Sequence, residues 1–201
     1  LLERRPVAAP VLFTLGRIVR PLVARVDIRG LEHLPASGAC IICPNHQSYL
    51  DAFLLCSLFP FPVFAQLFFV GAVEYFETDF TKWFARTANL VPVDPDSNLV
   101  PAMQAGAFGL AHGKILVLFP EGERSTSGDV KPFRGGIGMI GSKLEVPIVP
   151  VRIRGLDRVL APNARMATPG PARIVFGAPI RVSGDDYAAL AKQVEMHVRA
   201  L

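Results

Sequence analysis

Ala39-Cys40-Ile41-Ile42-Cys43 and Ile115-Leu116-Val117-Leu118-Phe119 are apolar at every position. A strand with one wet face alternates apolar and polar side chains. A short strand that is apolar at both parities needs cover on both faces. Residues 146–153 read as another buried strand, despite Pro147 and Pro150. Segments of helical length separate these runs. Strands alternating with helices predict an α/β fold, with a mixed, mostly parallel central sheet flanked by helices. At 201 residues, without repeats or a long linker, the chain fits one such domain.

The other elements follow in order. Residues 10–26 place Val11, Leu12, Leu15, Ile18, Val19, Leu22 and Val26 at helical spacing, punctuated by Arg17, Arg20 and Arg25. This predicts a basic amphipathic helix bent near Pro21. Either its arginines are simply solvated, or it lies on anionic lipid. We divide the chain accordingly into this N-terminal segment, 1–28, a candidate for membrane contact, and a main domain, 29–201. Residues 26–29 and 63–66 are read as short strands, and 68–88 as mostly helical. A helix to His112 stops at Gly113. A Gly-rich helix covers 133–144, a late strand 173–176, and a last helix starts at a Ser183 or Asp185 cap.

Two of the apolar runs end in polar islands. After the first comes Pro44-Asn45-His46-Gln47-Ser48-Tyr49-Leu50-Asp51. On one ideal helix, residues five apart point about 140° away from each other. His46 and Asp51 meet only if His46 lies in a loop and Asp51 in the first turn of the helix that follows. The carboxylate then holds one imidazole nitrogen and leaves the other to accept a proton. The plainer reading is a first-turn acid beside a loop histidine. After the second run comes Glu121-Gly122-Glu123-Arg124-Ser125. Gly122 allows close backbone approach, and Arg124 offers a planar fork for phosphate or carboxylate. Ser125 and backbone N–H groups can complete an anion nest. Here the plainer reading is a surface turn with internal ion pairs.

Several classes are excluded or set aside. No Gly-x-Ser-x-Gly elbow supplies a nucleophile. The histidines show no metal-ligand spacing. Gly136-Ile137-Gly138-Met139-Ile140-Gly141 fits a dinucleotide fingerprint, but no buried strand leads into it, so these glycines are read as close helix packing. No basic run with interleaved aromatics points to nucleic acid. Cys40 and Cys43 would point to opposite faces of one strand, so they read as core residues rather than a redox or zinc pair. Reduced thiols suit the cytosol. Residues 52–73 are uncharged, but Pro60 and Pro62 break them, so a buried helix, turn and strand replaces a membrane span. The net charge of +4 favours an anionic partner, and the mean hydropathy of +0.37 implies apolar surface against lipid or a partner.

Taken together and in order, these motifs resemble the glycerolipid acyltransferase family, which includes the 1-acylglycerol-3-phosphate acyltransferases. Residues 45–51 are similar to its first block, a His and an Asp with four residues between. Residues 88–94 stand in the place of the second. Phe119-Pro120-Glu121-Gly122-Glu123-Arg124-Ser125 resembles the third, which usually reads Phe-Pro-Glu-Gly-Thr-Arg-Ser, and residues 146–151 resemble the fourth. Two positions depart, Glu123 for the usual Thr and Asp94 for a frequent Arg, and both make the anion site less basic. The resemblance implies an O-acyltransferase with His46 as base and Asp51 as its orienter. It implies that Glu121, Gly122, Arg124 and Ser125 bind the acceptor head group. The donor would be an acyl thioester, acyl-CoA or acyl carrier protein, the acceptor a lysophospholipid, and no cofactor would be needed. It further implies the cytoplasmic face of a membrane and, for some members, fusion to an acyl-activating enzyme. Two other readings of the same residues are a non-catalytic lipid-binding module, and a thioesterase or lysophospholipase that uses His46 and Asp51 on water.

Overall fold

The structure is a computed structural model, which describes residues 9–35, 38–72, 90–93, 100–161, 164 and 166–201. The chain runs α1 (Ala9–Val23), β1 (Ala24–Arg29), a 3-10 turn (Leu31–His33), β2 (Cys40–Pro44), α2 (Leu50–Leu58), α3 (Phe61–Phe64), β3 (Leu67–Ala72) and β4 (Leu90–Val93). It continues with α4 (Val100–Ala111), β5 (Ile115–Val117), α5 (Gly136–Leu144), β6 (Ile148–Arg154), α6 (Leu156–Val159), β7 (Gly170–Phe176) and α7 (Tyr187–Ala200).

The strands form one seven-stranded sheet in the order β1-β7-β6-β2-β5-β3-β4. Neighbours are parallel except β6 and β7, which are antiparallel. The expected mixed, mostly parallel α/β sheet is therefore present. The wholly apolar run of β2 sits at its centre, between β6 and β5, and feeds two cores. Cys40 and Ile42 face one, with Leu54, Leu55 and Leu58 of α2 and Leu156 and Val159 of α6. Ile41 and Cys43 face the other, with Leu110 of α4, Ile137 and Ile140 of α5, and Val194 and Val198 of α7. The two thiols point to opposite faces, as strand alternation requires. Burial without a charged partner pushes Cys40 up to about 11 and Cys56 up to about 12, which leaves them as inert core groups.

The Gly-rich α5 packs tightly on its neighbours. A Cβ on Gly138 would lie 2.3 Å from the Tyr187 carbonyl oxygen of α7, and one on Gly141 would lie 2.7 Å from Ile148 Cδ1. The apparent dinucleotide fingerprint is thus a helix-packing surface.

Some local expectations are corrected. Residues 61–64 are a short helix entered through Pro60, and the strand expected at 63–66 begins only at Leu67. Residues 68–72, expected helical, belong to that strand, paired with β5 and β4. Residues 73–88 lie outside the described part. Helix α5 starts at Gly136 rather than Phe133, because the Phe133 N–H donates to the Glu195 carboxylate of α7 (3.2 Å). Asp186, not Ser183 or Asp185, caps α7, accepting from the Ala189 N–H at 3.0 Å. The sheet takes in residues 24–28, grouped above with the N-terminal helix.

Candidate active site

The ends of β2 and β5, side by side in the sheet, deliver the two polar islands to one place. Beyond Pro44 the chain is fixed by Asn45, fully buried. Its side-chain amide donates to the Ile153 carbonyl at 3.0 Å and its oxygen accepts from the Ile153 N–H at 2.7 Å. This clamp to β6 stops the strand and begins the loop. Ser48 Oγ ties the loop's far end down by donating to the Leu160 carbonyl (2.9 Å), and it accepts from the Leu50 N–H. Helix α2 then starts at Leu50, which puts Asp51 in its first turn and His46 in the preceding loop. That is the arrangement the spacing demands.

Asp51 is fully buried and its Oδ2 receives three donors. These are His46 Nδ1 at 2.7 Å and the N–H groups of Gln47 at 2.5 Å and Ser48 at 2.9 Å. A carboxylate only accepts, so Nδ1 carries the hydrogen and Nε2 keeps its lone pair. The His46 ring packs on Phe119, with centroids 4.3 Å apart and planes at 32°. Only 22% of the His46 side chain is exposed. One edge of the ring is held and one face is covered.

The second island reaches the same histidine from behind. Glu121 Oε1 accepts from the His46 N–H at 3.2 Å, and the Ser125 N–H donates to the His46 carbonyl at 2.8 Å. Both residues are buried. Burial pushes the Glu121 carboxyl up to about 7, with the nearby Asp51 charge adding to the rise and backbone N–H groups opposing it. Of the four residues expected at the acceptor head group, Glu121 and Ser125 therefore turn inward to hold His46. Gly122 is exposed, and Arg124 is half-buried with its Nε covered. Gly122 has φ +76, a left-handed turn that suits glycine, and a Cβ there would lie 2.6 Å from Arg134 Nε.

Three residues join this region that the sequence did not single out. Arg134 packs over Gly122. Lys131 Nζ pairs with the Glu123 carboxylate at 2.9 Å and holds it below the usual carboxylate range. The extra negative charge of Glu123 is thereby answered within its own loop. Tyr49 sits under Arg124, whose Cζ lies 3.3 Å from the ring centroid. Only the run Lys131-Pro132-Phe133-Arg134, with two cations soon after the second island, carried a sequence signal for any of them. Asp94, the other expected departure, lies outside the described residues. Among the described residues, no three His, Cys, Asp or Glu side chains are grouped to hold a metal ion.

The mostly parallel sheet thus sets a His-Asp pair beside an arginine-bearing loop, and comparison with known proteins shows the class, an acyltransferase. The Acyltransferase family model matches residues 25–154, from β1 to the end of β6 with both islands inside. The chain belongs to that family. Among curated relatives, it is 31% identical over 168 residues to a chloroplastic 1-acyl-sn-glycerol-3-phosphate acyltransferase of Brassica napus, covering 81% of this chain and 47% of the relative. It is 27% identical over 178 residues to the human 1-acyl-sn-glycerol-3-phosphate acyltransferase alpha, covering 85% and 61%. The crystal structure of the 1-acyl-sn-glycerophosphate acyltransferase PlsC from Thermotoga maritima superposes with a TM-score of 0.80 at 26% identity, covering 96% of this chain and 77% of that one. The chain spans about half the length of the plant relative and three-fifths of the human one.

Proposed function

We propose that the chain moves a fatty acyl group from an acyl thioester to the free hydroxyl of a lysophospholipid, with lysophosphatidate as the favoured acceptor. The observation that carries this reading is the His46–Asp51 pair, held in the tautomer that leaves Nε2 its lone pair, on a side chain still 22% exposed. His46 Nε2 takes the proton of the acceptor hydroxyl as its oxygen attacks the thioester carbonyl. The tetrahedral intermediate collapses with cleavage of the C–S bond. The thiolate leaves and receives the proton held on the imidazolium, which returns His46 to its starting state. Asp51 stabilises the cationic ring between the two proton transfers. The chemistry asks for no cofactor beyond the donor, acyl-CoA or acyl carrier protein.

Arg124, Lys131 and Arg134 on one loop favour an acceptor that carries phosphate. Glu123 offsets Lys131, its ion-pair partner, so Arg124 and Arg134 are the cations that carry this preference. The membrane surface belongs to the same proposal. Helix α1 exposes Val11, Leu15, Ile18 and Leu22 at 58%, 48%, 58% and 67%. Its other side is docked, with Phe13 against Phe61 and Phe64 and Arg20 donating to the Ser57 carbonyl. An apolar stripe held outward on a fixed helix, flanked by arginines, suits peripheral attachment to anionic lipid. No described helix is long and apolar enough to cross a membrane. The cytoplasmic face, and a link to an acyl-activating enzyme, complete the proposed setting.

The test is His46→Ala, assayed with labelled acyl-CoA and lysophosphatidate. General-base catalysis is worth about 10²–10⁴-fold, and a loss of that size is expected. Unchanged turnover would sink the mechanism. Release of free fatty acid in place of diacyl product, in the unaltered chain, would replace acyl transfer with hydrolysis.

A further inference from the structure

We infer that Glu195 of α7 is a positioning residue for the acceptor's phosphate, acting through Arg134. The substrate in this inference rests on the acyl-transfer reading, whereas the contacts stand without it. Residues 130–134 follow the second island and carry Lys131 and Arg134. The backbone of this segment is held at three points. The Arg134 N–H donates to the Pro120 carbonyl at 2.9 Å. The Phe133 N–H donates to Glu195 Oε2 at 3.2 Å. The Val130 carbonyl accepts from Arg199 Nη2, and Arg199 Nε donates to Glu195 Oε1 at 2.7 Å. Lys192 Nζ donates to the same Oε1 at 2.8 Å. Two of the three holds therefore come from one carboxylate and its arginine on α7.

Packing does not account for this carboxylate. Glu195 is buried, and the core positions beside it on α7 are Ala191, Val194 and Val198. A buried ion pair is often no more stabilising than apolar side chains of the same volume. What Glu195 supplies is a fixed path for the segment. Arg134 needs one, because two glycines follow it, and Gly135, the N-cap of α5, has no side chain to cap with. The Arg134 guanidinium lies across Gly122, with Nε 2.6 Å and Cζ 2.8 Å from where a Cβ would stand. Arg134 is exposed, and among the described residues no hydrogen bond or ion pair engages its guanidinium. It is thus a cation set at the second island with its donors uncommitted. A rotamer-rich side chain placed in advance loses less freedom when an anion binds. On the same segment Lys131 answers the charge of Glu123. Glu195 therefore holds in place both the cation that neutralises the loop and the cation offered to phosphate.

The experiment compares Glu195→Leu, Arg199→Ala, Arg134→Ala and the double variant Glu195→Leu/Arg134→Ala with the unaltered chain. Initial rates are measured against lysophosphatidate, against a monoacylglycerol that lacks phosphate, and against acyl-CoA. Calorimetric titration with glycerol 3-phosphate gives an anion affinity that needs no turnover. Loss of the advance placement predicts that Glu195→Leu raises the lysophosphatidate KM and the glycerol 3-phosphate Kd by about 3- to 10-fold. The kcat, the acyl-CoA KM and the rate with monoacylglycerol do not change. Arg199→Ala, at a partly exposed side chain, moves the same two constants in the same direction, and it decides the matter if the Leu variant does not fold. Arg134→Ala raises both by about 10- to 100-fold. In that background Glu195→Leu adds less than about twofold, because its effect runs through the missing side chain. A Glu195 that only stabilises the fold would lower kcat or raise the acyl-CoA KM, and would cost as much without Arg134 as with it. Either result, or unchanged constants in both α7 variants, overturns the proposal while acyl transfer by the unaltered chain stands. If the chain transfers no acyl group but glycerol 3-phosphate binding follows the expected pattern, the proposed activity fails and the role of Glu195 stands. If the unaltered chain neither transfers nor binds, both fail.

Discussion

Glu121 is a buried carboxylate whose ordinary value near 4.5 is raised to about 7. The sign of its effect on stability follows from the raised direction. Between those values the folded chain keeps a proton that the unfolded chain has released, so stability falls as pH rises through this window. Below it both states are protonated, and above it the cost of the buried charge is constant. Glu121→Gln keeps an oxygen to accept from the His46 N–H but does not titrate. Its stability relative to the unaltered chain should therefore climb from pH 5 to pH 8, by up to about 3 kcal/mol. Urea unfolding at both pH values measures this, and a difference that stays flat with pH rules it out. The roles of Glu121 and Ser125 show what a sequence reading could not separate. Both belong to a motif that suits an anion, and their residue types fit a ligand as well as they fit a backbone. Only the approach of β5 to β2 decides that they bond to His46. Tyr49 and Arg124 pose the same difficulty, being seventy-five positions apart with nothing in either to announce the stack.

Elements were more legible than contacts, where their pattern allowed one interpretation. Both wholly apolar runs became central strands, because no other element of that length buries both parities. The loop-then-helix setting of His46 and Asp51 followed from angular geometry alone. Residues 68–72 read as helix and form strand, since a continuous apolar stretch has no period to tell the two apart. Its place between β5 and β4 comes from partners distant in sequence. Helix α1 combines both cases. Its apolar spacing was plain, but which residues dock and which stay outside depends on α2 and α3. This outward stripe leads to a prediction at the same scale. Burying one Leu-sized side chain is worth about 1.5–3 kcal/mol. Replacing exposed Leu15 and Leu22 with Glu should therefore weaken binding to vesicles containing phosphatidylglycerol by at least about tenfold, with Tm little changed. Flotation assays test it, and undiminished binding would remove α1 as the contact.

At the scale of the molecule, one sheet holds two cores and gathers its chemistry where β2, β5 and β6 end. The clamp from Asn45 to Ile153 is the stitch that joins the first of these strands to the last. Asn45→Ala removes both bonds and leaves a buried N–H and C=O unpaired. Each such group costs about 1–3 kcal/mol, so a loss of about 2–4 kcal/mol is expected in denaturant unfolding, together with reduced acyl transfer. A loss below about 0.5 kcal/mol would mean that the clamp is replaced by water or another donor.

The clamp also has a consequence for the order in which the chain is made. His46 leaves the ribosome before the strand that fixes its loop, which is completed more than a hundred residues later. Until Ile153 arrives, Asn45 has no partner to bond and the His46 loop lacks its anchor. A nascent chain of this design carries both members of the His46–Asp51 pair long before their loop is fixed, so the geometry proposed for acyl transfer is among the last that folding completes.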